Sequence, residues 1–321
     1  MADLAVSINA AGGADYTSFN SAEATEQATY TDLVTDTNTI TFTGTGATDD
    51  TTATNISGWT TSAAYNITFE GDGATEWDAS KYTLSVANTD ALTITERYCV
   101  IQNVQLELSA TNANYQKVVR VLDRYNEIIK CILKGANNAT YRERLIDFTG
   151  QDNYMANCLL YNANTSPVHI ASATIYDATS AGVTSIYYCT IIGAAYNLYS
   201  TGAGTTVLKN CILDGAGTGV GSAPEGASDY NITDQSSGLT GGNSQHSQSF
   251  SFEAAAGDYH LTAANDDGID LSGDGVYPVS DDVDGDARPV TTPDCGYDEY
   301  IAAGGGVEQG MLYHYFQTMR A

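Results

Sequence analysis

Cys131-Ile132-Leu133-Lys134-Gly135 carries the pattern that decides the fold: a cysteine, two branched apolar residues, and a turn rich in Gly or Asn. The phrase recurs as Cys99-Val100-Ile101, Cys158-Leu159-Leu160, Cys189-Thr190-Ile191-Ile192 and Cys211-Ile212-Leu213, with Asn162, Gly193 and Gly215 close behind. By subtraction of their numbers, successive cysteines lie 32, 27, 31 and 22 residues apart. A self-similar period of this size, carried by short strand-like runs with no helical spacing, predicts a parallel β-helix whose coils are joined by loops of variable length. Strands of neighbouring coils stack about 4.8 Å apart, so an inward position becomes a column of like residues. The five cysteines are expected to form one such column, buried and reduced. No CxxC or HxxxH spacing suggests a metal, and His169, His246, His260 and His314 stand apart from any ligand partner.

Working outward, Asn38-Thr39-Ile40-Thr41-Phe42-Thr43-Gly44 and Asn66-Ile67-Thr68-Phe69-Glu70-Gly71 share strict alternation and read as early strands with one face inward. Upstream, Thr17 to Ala28 predicts a short helix that plugs the open N-terminal end. There Asn20 and Glu23 have capping-box spacing, and Phe19 is placed to fold back. Asn103, Asn137, Asn162 and Asn210 follow strands, where asparagine tolerates a left-handed turn. Tyr98, Tyr125, Tyr154, Tyr187 and Tyr188 flank the cysteine strands as a packing stripe or, alternatively, a sugar-binding platform. The expected organisation is an N-terminal cap over 1–38, coils over 39–220, an irregular acidic closing segment over 221–303, and a Gly hinge with a helix over 304–321.

The formal net charge is −27. A field of that sign argues against nucleic acid and anionic membrane as partners. Against it, Arg97, Lys117, Arg120, Arg124, Lys130, Lys134, Arg142 and Arg144 cluster in the middle coils. This basic belt reads either as internal ion pairing or as a contact surface for an acidic partner or an identical neighbour, with Arg120, Arg124, Arg142 and Arg144 as the candidate residues. The start Met1-Ala2-Asp3-Leu4-Ala5-Val6 lacks the pattern of a signal peptide, and no apolar run is long enough to span a bilayer.

Asp258-Tyr259-His260-Leu261, then Asp282-Val283-Asp284-Gly285-Asp286-Ala287-Arg288-Pro289, then Asp294-Cys295-Gly296-Tyr297-Asp298-Glu299-Tyr300 make up the closing segment. This frame, with the opening Gly12-Gly13-Ala14-Asp15-Tyr16-Thr17-Ser18-Phe19, resembles right-handed parallel β-helix proteins of the pectate-lyase-like superfamily, of the kind found in phages and environmental bacteria. The resemblance implies a single-stranded right-handed β-helix. It implies little about chemistry, because one fold hosts many functions.

The chemical candidates are few. Asp147 and Asp152, beside Arg142 and Arg144, are the best cluster for a polysaccharide lyase or hydrolase. Asp282, Asp284 and Asp286 alternate as in a calcium loop but lack its twelfth-position Glu; the alternative is a tight turn whose carboxylates accept backbone N–H bonds and pair with Arg288. No other cofactor is expected. After Gly304-Gly305-Gly306, the residues Met311, Leu312, Tyr315, Phe316 and Met319 form one apolar helix face, expected to dock on another protein chain. The expectation is therefore a structural virion protein, a capsid-decorating or tail-associated homo-oligomer with a trimer as the favoured order. A glycan-cleaving or glycan-binding β-helix, reaching the extracellular space by non-classical export, is the alternative.

Overall fold

A computed structural model describes residues 2–73, 75–113, 115–136, 141, 143–161, 173–193, 196–215, 228–254, 258–262, 279–289 and 293–300. Among the described residues, most strands belong to three parallel sheets of eight, seven and six strands. From Ile67 onward the chain visits them in rotation. It runs, for example, from Cys99–Gln102 on the first face to Gln105–Ala110 on the second and Gln116–Val121 on the third, then returns to the first at Glu127–Ile129. The protein is thus mostly β, with a layout compatible with a parallel β-helix.

The alternation seen in the sequence produces inward columns. On the first face Phe42, Phe69, Ile101, Ile128, Met155, Ile186 and Leu208 are in register. Leu84, Leu106, Leu133, Leu160, Ile191 and Leu213 do the same on the second. All are buried in one core cluster. Each such side chain contributes roughly 1.5–3 kcal/mol by leaving water, so the stack is held chiefly by repeated apolar burial.

The cysteines are free and buried, as expected, but they do not form one column. The pairing of Ile132, Leu159, Thr190 and Ile212 aligns Cys131, Cys158, Cys189 and Cys211. Cys99 instead opens a first-face strand opposite Ile67. The shared phrase has a local cause: each cysteine follows a residue with positive φ, namely Tyr98, Lys130, Asn157, Tyr188 or Asn210. Each thiol also lies against the carbonyl two residues back, at 3.2 Å for Cys158 and Ala156. The sequence phrase therefore marks a turn type that occurs on both sides of the first face. Burial pushes the Cys99, Cys131 and Cys189 thiols well up, which keeps them protonated at neutral pH.

The N-terminal helix spans Phe19–Thr29. Ser18 caps it by accepting from Ser21 N, and the expected Asn20/Glu23 box does not form. Glu23 is turned inward, where it accepts from Trp59 Nε1 and Ser57 N at 3.0 Å. Phe19 does fold back, stacking on Phe69 with ring centroids 3.8 Å apart. The second face continues to Ile232–Thr233, past residue 220, before Phe252–Ala254 and Asp258–Leu261 form an antiparallel pair.

Candidate functional site

Six residues at the corner between the first and second faces, Asn103, Lys130, Asn157, Tyr188, Asn210 and Tyr230, all adopt left-handed φ between 49° and 57°. Because the flanking strands are in register, these corners stack into a ridge. Glycine visits this region routinely, and among other residues chiefly Asn and Asp do. Lys130, Tyr188 and Tyr230 do so here with side chains or carbonyls engaged by the closing segment, which lies along the ridge as a strap.

The strap is tied down by charge and hydrogen bonds. Lys130 Nζ meets Asp281 Oδ2 at 2.8 Å, and Asn157 Nδ2 donates to the Asp281 carbonyl at 2.6 Å. Arg288 is the hub. It donates to Glu299 Oε2 at 3.3 Å, to the carbonyls of Asp294 and Gly296 at 3.1 and 2.9 Å, and to Asn157 Oδ1 at 3.3 Å. Its guanidinium lies 4.2 Å from the centre of the Tyr188 ring. Further along, Gly296 N donates to the Asn210 carbonyl and Tyr297 N to Thr190 Oγ1. Beneath this polar layer, Tyr259, Val283 and Tyr297 cover the outward side chains of Ile132 and Leu159, while Leu261 and Cys295 cover Ile212 and Ile232.

The chemistry-bearing group of the strap gathers around His260. Alternation along Asp258–Leu261 places Asp258 and His260 on one side of the strand, with Asp258 Oδ1 2.5 Å from His260 Nδ1. On the other edge of the ring, Nε2 lies 3.2 Å from Asp284 Oδ2. Ligand atoms of His260, Asp284 and Asp298 all lie within 4.8 Å of one another, the one such group among the described residues. Burial disfavours the charged imidazole, yet Asp284 and Asp258 outweigh it and raise its pKa to about 10. The imidazolium in turn holds Asp284 below the usual carboxylate range, whereas burial pushes Asp298 up.

The three carboxylates expected to act together as a calcium loop are directed differently. Asp282 is fully buried and accepts from Asp286 N at 2.8 Å and Glu299 N at 3.1 Å, and burial raises its pKa to about 6. Asp284 turns to His260, and Asp286 gives its backbone N–H to Asp282. Asp282 fits the tight-turn alternative, but the partner of Arg288 is Glu299 rather than a turn aspartate.

Asp147 and Asp152 are placed in different settings. Asp147 is buried on the third face, 2.7 Å from Arg144 Nη1, whose guanidinium lies 3.4 Å from the centre of the Tyr176 ring. Asp152 lies at the turn into the first face and accepts from Val183 N at 3.0 Å. The belt is largely paired internally: Lys117 and Arg120 face Asp90, Arg97 faces Asp123, and Lys134 faces Glu107. Arg124 lies over the Tyr125 ring. Arg142, Met311, Leu312, Tyr315, Phe316 and Met319 lie outside the described residues.

The tyrosine stripe divides. Tyr98 and Tyr125 stack with centroids 5.2 Å apart and line an open groove of ≈ 220 Å³ together with Val100, Glu127, Asp152 and Tyr154, while Tyr188 serves Arg288. Sequence reasoning missed His260, Asp258, Asp298, Asn157 and Glu299. The two-residue spacing of Asp258 and His260 on a strand was the available signal; the approach of Asp284 and Asp298 depends on how the strap folds. Comparison of the chain with protein-family models, with curated proteins and with solved structures finds no match.

Proposed function

We propose that the chain is a non-catalytic structural protein: a right-handed parallel β-helix of the pectate-lyase-like kind, capped at its start by the Phe19–Thr29 helix, that docks as a homo-oligomer onto a virion surface or tail. The observation supporting this reading is that the carboxylates nominated for catalysis are committed to the scaffold, Asp147 to Arg144 and Asp152 to the Val183 amide. The apolar spacing of Leu312, Phe316 and Met319, known from sequence, supplies the docking element. Incubating the full chain with acidic and neutral polysaccharides is expected to yield neither new reducing ends nor unsaturated products. Deleting residues 307–321 is expected to leave the thermal midpoint unchanged and to abolish incorporation into the larger assembly. Turnover that is lost in Asp147→Ala or Asp152→Ala would reverse this reading.

The stacked Tyr98 and Tyr125 beside Glu127 favour a second reading, a glycan-binding surface, because stacked rings next to carboxylates suit the apolar faces and hydroxyls of a sugar. Oligosaccharide titration followed by tyrosine fluorescence tests it. Binding that survives Tyr98→Ala and Tyr125→Ala would exclude this groove.

A further inference from the structure

We propose that His260, Asp284 and Asp298 form a site for a divalent transition-metal ion of the zinc or manganese class, with Asp258 as the carboxylate that orients the imidazole. The arrangement is more than a group of acids. His260 Nε2 is shielded from water and makes no hydrogen bond among the described residues, although Asp284 Oδ2 is only 3.2 Å away. The two atoms are in ion-pair contact, and with a carboxylate oxygen of Asp298 they lie within 4.8 Å of one another.

The opposite nitrogen is held as a metal-bound histidine requires. Asp258 Oδ1 lies 2.5 Å from Nδ1, so Nδ1 carries the proton and the lone pair of a neutral ring is left on Nε2. Asp298 is buried, and its Oδ2 is fixed by the Leu261 amide at 2.6 Å. The Tyr297 ring, centred 5.5 Å from the imidazole, closes one side. One nitrogen and two carboxylate oxygens suit zinc or manganese; calcium and magnesium favour all-oxygen shells. Three protein ligands leave room for water.

The competitor for the site is a proton on Nε2, which also satisfies the surrounding acids. Ion binding therefore releases that proton and replaces one positive charge with two amid three carboxylates. The ligands come from the Asp258–Leu261 strand, from the turn at Asp284 and from the Asp298 segment, so the ion would cross-link three parts of the strap.

The test uses the full chain, stripped with chelator and titrated separately with ZnCl2, CoCl2 and CaCl2. The expected result is one equivalent of Zn²⁺ bound, a raised thermal midpoint, and visible d–d absorption on adding Co²⁺. Asp284→Asn, at a partly exposed position, is expected to weaken Zn²⁺ binding at least about tenfold and to shrink the rise in midpoint that Zn²⁺ produces relative to the same variant without metal, and Asp258→Asn to weaken binding roughly 10–100-fold. Absence of stoichiometric Zn²⁺ and Co²⁺ binding by the native chain would overturn the proposal. So would Zn²⁺ affinity unchanged in Asp284→Asn, or a preference for Ca²⁺ over Zn²⁺.

Discussion

The stacked coils and the strap that lies along them are held by opposite means. In the coils, Leu133, Leu160 and Ile191 touch their equivalents one turn away, and the same apolar contact is repeated in register. In the strap, Arg288 alone joins Glu299, two carbonyls, Asn157 and the Tyr188 ring, and nothing about that set repeats. Removing one rung from a periodic stack leaves its neighbours paired, whereas removing a hub strands several buried polar groups together. The two regions should therefore fail differently.

The largest expected effect is that of Arg288→Met. It leaves Glu299 buried without its cation, a loss of about 3–5 kcal/mol for a broken buried pair. Chemical denaturation should show an early transition for the strap, with the coils unfolding later. Leu160→Ala probes the other region, since cavity formation there costs about 2–5 kcal/mol. Calorimetry should show that loss in the main transition. If Leu160→Ala released the strap and spared the coils, the contrast between the regions would collapse.

Gly296→Ala sharpens the comparison at a single contact. Gly296 has φ of 93°, and an added Cβ would fall 2.6 Å from Thr190 Oγ1 and 2.8 Å from Ile212 Cδ1. A destabilisation of roughly 1–3 kcal/mol, confined to the strap transition, is expected from the overpacking. The remaining effect is a gain. Glu143 is fully buried on the third face, where burial raises its pKa to about 8 and Thr111 Oγ1 donates to it at 3.0 Å. A carboxyl held above its unfolded value contributes most stability below about pH 4.5 and loses it as pH rises to about 8. Glu143→Gln should therefore raise the thermal midpoint at pH 8 and flatten the pH dependence across that window.

The contrast also explains what could be read from the residues in advance. Alternation around Ile40 and Phe42, and the cysteine phrases, report local turn and strand geometry, so the parallel strands were legible. Cys99 was misplaced because its phrase encodes a left-handed corner, and such corners flank the first face on both sides. Glu23 satisfied a capping rule by spacing, but a tertiary partner, Trp59, claimed it. The His260 group was invisible in the linear sequence because Asp284 and Asp298 reach it only through the path of the strap.

Hydrogen exchange on the native chain and on Arg288→Met, read segment by segment, tests most directly whether coils and strap are separately stabilised. The account predicts that residues 281–289 and 293–300 lose protection in the variant while Leu133, Leu160 and Ile191 keep theirs. Equal loss of protection in both regions would contradict it.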